Sequence, residues 1–298
     1  MIIKKEKKLI TADYIPLDKS WLIRMGILDL IHDYNDIIIF LERQKDLGND
    51  LQALYRALLD WKTDKPIDVG ESGTLYRLLK FTSWKLGLKK QFILRGTLKK
   101  RKICDNPKIV NLSLTELLKL DSGTSQWATA SLLLGNKEVV ENPPYKLQLT
   151  YEEVKHWNKQ KRKKLSWKPR YDETILNQAK TFLKLLKKEK GKFIPQQAED
   201  YCFARAFNYL TKEKGGKLWP SLRGHETDRI EEMEKALDDV DNGHEISSRD
   251  HRVVQAVVMR AKIKGQNIKL KYPAVVNKSW PQFWKFLKDA FEQTLNKL

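Results

Sequence analysis

The residue pattern predicts an α/β chain organised as two domains. Three observations carry that expectation. Short strand-like runs (Ile37–Phe40, Gln91–Leu94, Tyr145–Leu149 and Asn267–Tyr272) alternate with longer stretches of helical periodicity, the pattern of α/β chains rather than of bundles or sandwiches. A length of 298 residues, 41% hydrophobic and 10% aromatic, supplies enough apolar side chain for one large or two ordinary packed cores. The most polar segment, Lys155–Arg170, runs through Lys-Gln-Lys-Arg-Lys-Lys at 159–164 to Pro169, a composition that marks a boundary between halves.

The helical patterns follow in order: Trp21–Ile31, Leu51–Trp61, Leu75–Lys85, Gln126–Leu134, Ala198–Leu210, Ile230–Leu237, Val253–Ile263 and Pro281–Leu295. A further one, Thr174–Leu186, ends in the basic run Lys184–Lys192. Lysines there oppose the negative helix end and read as a solvated face. Polar turns of Gly, Ser or Thr open three of the helices, at Ser72–Thr74, Gly123–Gln126 and Ser247–Arg252. Pro281 suits the first turn of the closing helix.

Fifty-seven Lys and Arg against thirty-eight Asp and Glu leave a net charge of +19. Such an excess favours an anionic partner without choosing among nucleic acid, membrane headgroups and phosphorylated small molecules. Cys104 and Cys202 lack a CxxC partner or a nearby histidine set, so neither a disulfide framework nor a structural zinc site is indicated. Lys4, Lys5, Lys7 and Lys8 are not followed by an apolar core of a leader. No stretch approaches the ~18 apolar residues of a membrane span. The expectation is a soluble, unprocessed, cytoplasmic chain.

Several segments place charge and hydroxyls at helix starts. Arg223-Gly-His-Glu-Thr-Asp-Arg229 sets Glu226 and Arg229 at i, i+3 ahead of an amphipathic run, either a proton donor beside an anion clamp or a surface ion pair. In Asp68-Val-Gly-Glu-Ser-Gly-Thr-Leu-Tyr-Arg77 small residues would let an anion approach backbone N–H groups, or Ser72 and Thr74 are ordinary caps. Arg77 there supplies charge or anchors the helix to an acidic neighbour. Asp121-Ser-Gly-Thr-Ser-Gln126 repeats the arrangement, and Lys19-Ser20 with Arg24 puts two cations and a hydroxyl on one helix start. In Ser247-Ser-Arg-Asp-His-Arg252, Asp250 or Ser248 can cap, and His251 reads as a structural imidazole more readily than as a catalyst. Lys278 lies in the loop before Pro281.

Taken in order, Lys19-Ser20…Arg24, Gly70-Glu-Ser-Gly-Thr74…Arg77, Thr124-Ser125-Gln126, His225-Glu-Thr-Asp-Arg229, Asp250-His-Arg252 and Lys278-Ser-Trp-Pro281 resemble the colinear motifs of the enolpyruvyl transferases, in the branch acting in the shikimate pathway. The resemblance implies a two-domain fold built from βαβαββ units, with at least one unit reduced or missing, because most of the shortening falls between Tyr145 and Glu226. One domain would be 16–167, with the Lys-Ser, Gly-Thr and Ser-Gln motifs. The other would be 1–15 plus 168–298, with the Glu-Thr-Asp-Arg, Asp-His-Arg and Lys-Ser-Trp-Pro motifs.

By the same resemblance the partners are shikimate 3-phosphate and phosphoenolpyruvate, the chain acts as a monomer, and no metal or redox cofactor takes part. Lys19, Arg101, Arg229, Arg252 and Lys278 would cradle phosphoenolpyruvate, with Gly73 and Thr74 at the turn below. Ser20, Arg24, Thr124, Ser125 and Tyr145 would hold the phosphorylated polyol, and Gln126 would touch both ligands. Glu226 would protonate the enolpyruvyl methylene. The family's aspartate base has no direct counterpart, since Ile194-Pro195 is followed by Gln196-Gln197, and an amide cannot accept a proton as a base. Asp200 is the substitute expected.

Two alternatives stay open. One is a non-catalytic relative that binds an anionic ligand or RNA through its excess charge. RNA ranks lower, because aromatic residues do not interleave with the basic runs at 159–164 or 184–192. The other keeps the reaction and changes the acceptor.

Overall fold

The structure, a computed structural model, describes residues 9–11, 13–121, 124–135, 143–161, 170–195, 198–223 and 228–295. The chain divides into two compact units, Lys19–Arg170 and Met1–Asp18 with Tyr171–Leu298. It is α/β with mostly helices: 61% is helical, and the strands are few and short.

In Lys19–Arg170 the first helix, α1 (Lys19–Ile31), is apolar on nearly every side and forms the centre of the unit, with Leu22, Ile23, Met25, Ile27 and Leu28 all buried. Gly26 permits this. A Cβ there would sit 3.1 and 3.2 Å from Leu54 and Leu58 of α3 (Asn49–Asp60). The run Ile37–Phe40, expected as a strand, is instead part of helix α2 (Asp36–Glu42). Ile37 and Leu41 bury at i, i+4, and the Asp29 carboxylate accepts the Ile37 N–H at 2.9 Å. A four-residue apolar run carries no period of its own, and here the tertiary partner chose the helix.

Strand β1 (Ile67–Asp68) pairs in parallel with β2 (Phe92–Ile93), joined by the crossover helix α4 (Gly73–Lys85). Ser72 caps α4 by accepting the Leu75 N–H. A capping box of Ser113 and Glu116 starts the short α5 (Leu114–Leu117). Next comes α6 (Gln126–Leu133), which packs on α4 and α1, with Trp127 wholly buried and stacked on Trp84 at 5.9 Å. Tyr145–Leu149, expected as a strand, forms a 3₁₀ turn (Tyr145–Leu147) leading into α7 (Gln148–Lys161). That helix also occupies the first part of the expected polar boundary. Glu153 and Trp157, one turn apart, face inward, and the charge-rich composition belongs to its outer side.

The other unit begins with Asp172 capping α8 (Glu173–Leu186) through the Ile175 N–H at 2.9 Å. The helical pattern Ala198–Leu210 divides into a 3₁₀ turn (Ala198–Asp200) and α9 (Tyr201–Ala206), stopped before Asn208, whose φ is 62°. Helices α10 (Lys212–Leu218) and α11 (Arg229–Asp241) follow. Then β3 (Glu245–Ile246) and β4 (Lys269–Leu270) form a second parallel pair around α12 (His251–Lys264). α12 is buried from His251 to Ala261 and packs against α8, α9, α11 and the 3₁₀ turn Pro273–Lys278. Gly265, at φ +68°, ends it in the left-handed region. The closing helix α13 (Phe283–Leu295) pins the N-terminal segment: Tyr14 donates to Asp289 at 2.6 Å, and Trp280 Nε1 donates to the Tyr14 carbonyl at 2.6 Å. Among the described residues no helix is long and apolar enough to cross a membrane.

Candidate functional site

Within Lys19–Arg170, the polar starts of α4 and α6 meet. Gln126, the first residue of α6, donates from Nε2 to Thr74 Oγ1 at 2.8 Å and accepts at Oε1 from Arg77 Nη1 at 2.8 Å. Arg77 also donates from Nε to Asp121 at 2.7 Å, so it anchors its helix to an acidic neighbour, one of the two roles its position suggested. Burial pulls the Arg77 guanidinium below its ordinary pKa, and Asp121 opposes that pull. Gly73 leaves room for this packing. A Cβ on it would lie 2.7 Å from Arg101 Nη1 and 3.0 Å from Arg77 Nη1, so two guanidinium groups rest directly over the first residue of α4. Thr124 is buried, with its hydroxyl accepting the Gln126 N–H at 3.4 Å, and Ser125 is the half-buried N-cap of α6.

The start of α1 carries Lys19, whose ammonium holds Asp50 at 2.8 Å, and the half-buried Ser20. Arg24, one turn on, is buried and grips Glu153 of α7 with both Nε and Nη2, the latter at 2.8 Å; Arg170 reaches the same carboxylate at 3.2 Å. Lys19 and Arg24 are therefore paired with carboxylates from distant elements, Asp50 and Glu153, that sequence reading did not connect with them. Tyr145 is 83% exposed on its 3₁₀ turn and is not packed against the cluster around Gln126.

In the other unit the centre is the start of α12. Asp250 caps it through the N–H groups of Arg252 and Val253, at 2.8 and 3.4 Å, and accepts from Arg229 Nε at 2.8 Å. Arg252 is 4% exposed, and its Nη2 lies 4.0 Å from Asp172, the cap of α8. Gln255, on the same helix, donates toward the Val276 carbonyl and Ser279 Oγ at 3.4 and 3.3 Å. It thereby holds the turn that carries the half-buried Lys278. The Cys202 thiol is wholly buried, and burial drives its pKa far upward despite Arg229 and Arg252 nearby.

Asp200 is buried, and Gln178 Nε2 donates to its Oδ1 at 3.4 Å. Glu226 and His225, with Gln196 and Gln197, lie outside the described residues. Thus Gly73, Thr74, Arg101, Thr124, Ser125 and Gln126 gather in one unit, Arg229 and Arg252 flank one helix start in the other, and Tyr145 joins neither group. Among the described residues no cluster of His, Cys, Asp or Glu has the makings of a metal site.

Compared with known protein families, curated proteins and solved structures, the chain matches none.

Sequence reading missed Asp50, Glu153 and Asp121. The last lay in view, five residues before Gln126, but only the fold shows that its carboxylate receives Arg77 and the Trp127 indole N–H at 2.9 Å.

Proposed function

We propose that this protein transfers the enolpyruvyl group of phosphoenolpyruvate to the 5-hydroxyl of shikimate 3-phosphate and releases phosphate, in the manner of 5-enolpyruvylshikimate-3-phosphate synthase in aromatic amino acid biosynthesis. The observation that carries this reading is the Arg77–Gln126–Thr74 clasp with Arg101 over Gly73. It gathers donors from residues up to 52 apart in sequence at the N-termini of two helices. Arginine donors and positive helix ends are suited to carboxylate and phosphate groups. The motif order alone supports the finer fold assignment to βαβαββ units: among the described residues each unit has one parallel pair of two-residue strands, fewer than the four strands such a unit carries.

In this reading Glu226 delivers a proton to the methylene carbon of phosphoenolpyruvate. The sugar hydroxyl adds to the neighbouring carbon as its proton passes to Asp200. The resulting tetrahedral adduct then loses phosphate as a methyl proton returns to the Glu226 carboxylate, leaving the enol ether. This reading assigns the anions to Lys19 and Arg101 in one unit and to Arg229, Arg252 and Lys278 in the other, and the phosphorylated acceptor to Arg24, Thr124 and Ser125; Lys19, Arg24 and Arg229 would exchange Asp50, Glu153 and Asp250 for the ligands. The proposed compartment is the cytoplasm.

The test is phosphate release by purified protein supplied with both substrates. Well-folded protein that releases none rejects the reaction. Both ligands together should raise the melting temperature beyond either alone. Asp200→Asn should lower turnover by roughly 10²–10⁴-fold while keeping that joint stabilisation. A second reading, binding of an anionic ligand without turnover, is favoured by one observation: the Asp200 carboxylate is buried against Gln178. Stabilisation without phosphate release would select it.

A further inference from the structure

The proposed reaction assigns no part to Asp121, yet its carboxylate receives three donors at the foot of the clasp. Its side chain is 7% exposed, and its backbone is left-handed at φ 46°. Oδ2 receives Arg77 Nε at 2.7 Å and Trp127 Nε1 at 2.9 Å, and Oδ1 receives the Cys104 N–H at 2.9 Å. Three donors from three segments therefore fix one carboxylate, and the carboxylate in turn fixes the guanidinium.

What the guanidinium fixes is Gln126. Arginine only donates, so the atom of Gln126 facing Arg77 Nη1 is the amide oxygen, and the amide nitrogen faces Thr74. Thr74 Oγ1, accepting from that nitrogen, keeps its own proton to donate elsewhere. The order Asp121, Arg77, Gln126, Thr74 is thus a polar relay with one direction: a buried anion at one end, a hydroxyl donor at the other. Without Asp121 the guanidinium loses the partner that orients it, and the amide can turn its oxygen toward the ligand. An oxygen presented to a phosphate or carboxylate repels it.

We infer that Asp121 is a positioning residue, which holds Gln126 and Thr74 in the donor orientation that an anionic substrate requires. This inference rests on the proposed transfer reaction and adds a residue that touches neither substrate. Its expected signature is non-additivity with Gln126, because Asp121 acts on the ligand through that side chain.

The experiment measures phosphate release by D121N, Q126A and the double variant at varied phosphoenolpyruvate. D121N should lower kcat/KM by roughly 10–100-fold, the range for a lost hydrogen bond to a charged group, and should have little further effect in the Q126A background. An unchanged kcat/KM, or the same loss in both backgrounds, overturns the inference, the latter pointing to a merely structural role. Should D121N not fold, or wild-type protein not release phosphate, the wild-type Gln126 side-chain amide decides. Its NMR signals, identified by their loss in Q126A, are expected to exchange with solvent well below the rate of a free glutamine amide, and exchange at the free rate overturns the assignment. Absent phosphate release with a protected amide rejects the reaction and retains the relay.

Discussion

Helices α4 and α12 occupy the same place in their own units. Each crosses over between two short parallel strands, and a polar turn starts each. Their N-termini nevertheless handle charge in opposite ways. α12 is capped by Asp250, so an anion is built into the positive helix end and already engages Arg229. α4 is capped by the neutral Ser72, its first residue is Gly73, and the guanidinium groups of Arg77 and Arg101 lie above it. A helix end that carries its own carboxylate is stabilised in place. At the start of α4 the cap is neutral, and of the two guanidinium groups above it Arg77 already engages Asp121 from a neighbouring segment. In the proposed reaction the start of α4 is the receptor, whereas the start of α12, with its own carboxylate, is the anchor.

The largest effect expected from this contrast is on stability. Asp250→Ala removes two cap hydrogen bonds and takes from buried Arg229 its carboxylate partner, for a loss of about 3–5 kcal/mol in denaturant unfolding. A loss below about 1 kcal/mol would erase the distinction between anchor and receptor. Gly73→Ala reverses the pattern. Its methyl group displaces Arg101, so phosphoenolpyruvate affinity measured by calorimetry should fall about tenfold. Unfolding free energy should meanwhile stay within about 1 kcal/mol, because the new residue stands at a helical position. Ser72→Ala should cost about 0.5–2 kcal/mol, an ordinary neutral cap, and a cost matching that of Asp250→Ala would show the two ends to be alike.

The smallest effect is a pH dependence confined to the unit anchored by α12. Tyr14 donates to Asp289, and that hydrogen bond, helped by burial, raises its hydroxyl from 10.0 to about 12. A raised folded-state value means the neutral phenol is favoured in the fold. The stabilisation is complete below pH 10 and fades as pH rises toward 12. Alkaline melting of wild type and Tyr14→Phe should therefore converge over that window, and curves that stay parallel would contradict the assignment.

Much of the helical framework was legible because its signals are local. The period of apolar residues located α1, α3, α4, α6, α8, α11, α12 and α13, and the polar residues before α4 and α12 do cap them as their positions suggested. Strands were legible only as short runs: Gln91–Leu94 and Asn267–Tyr272 contain β2 and β4, whereas Ile37–Phe40 and Tyr145–Leu149 are helical. Alternation over four or five residues is too brief to separate a strand from a buried helical turn.

The candidate site divides along the same line. Residues adjacent in sequence, such as Thr124, Ser125 and Gln126, or Asp250 and Arg252, were recognisable together because one helix start presents them. Partners across long separations were not. Arg24 meets Glu153 across 129 residues, and Arg77 meets Asp121 across 44 and Gln126 across 49. By itself, then, the sequence determined where the longer amphipathic helices lie, which polar residues cap α4 and α12, and that cationic side chains stand near helix beginnings, since each follows from bonds within a few residues. Tertiary structure alone decided which carboxylate each cation meets and so which charges remain for a ligand. A buried ion pair forms only where packing brings two distant segments within hydrogen-bond reach and removes the water between them.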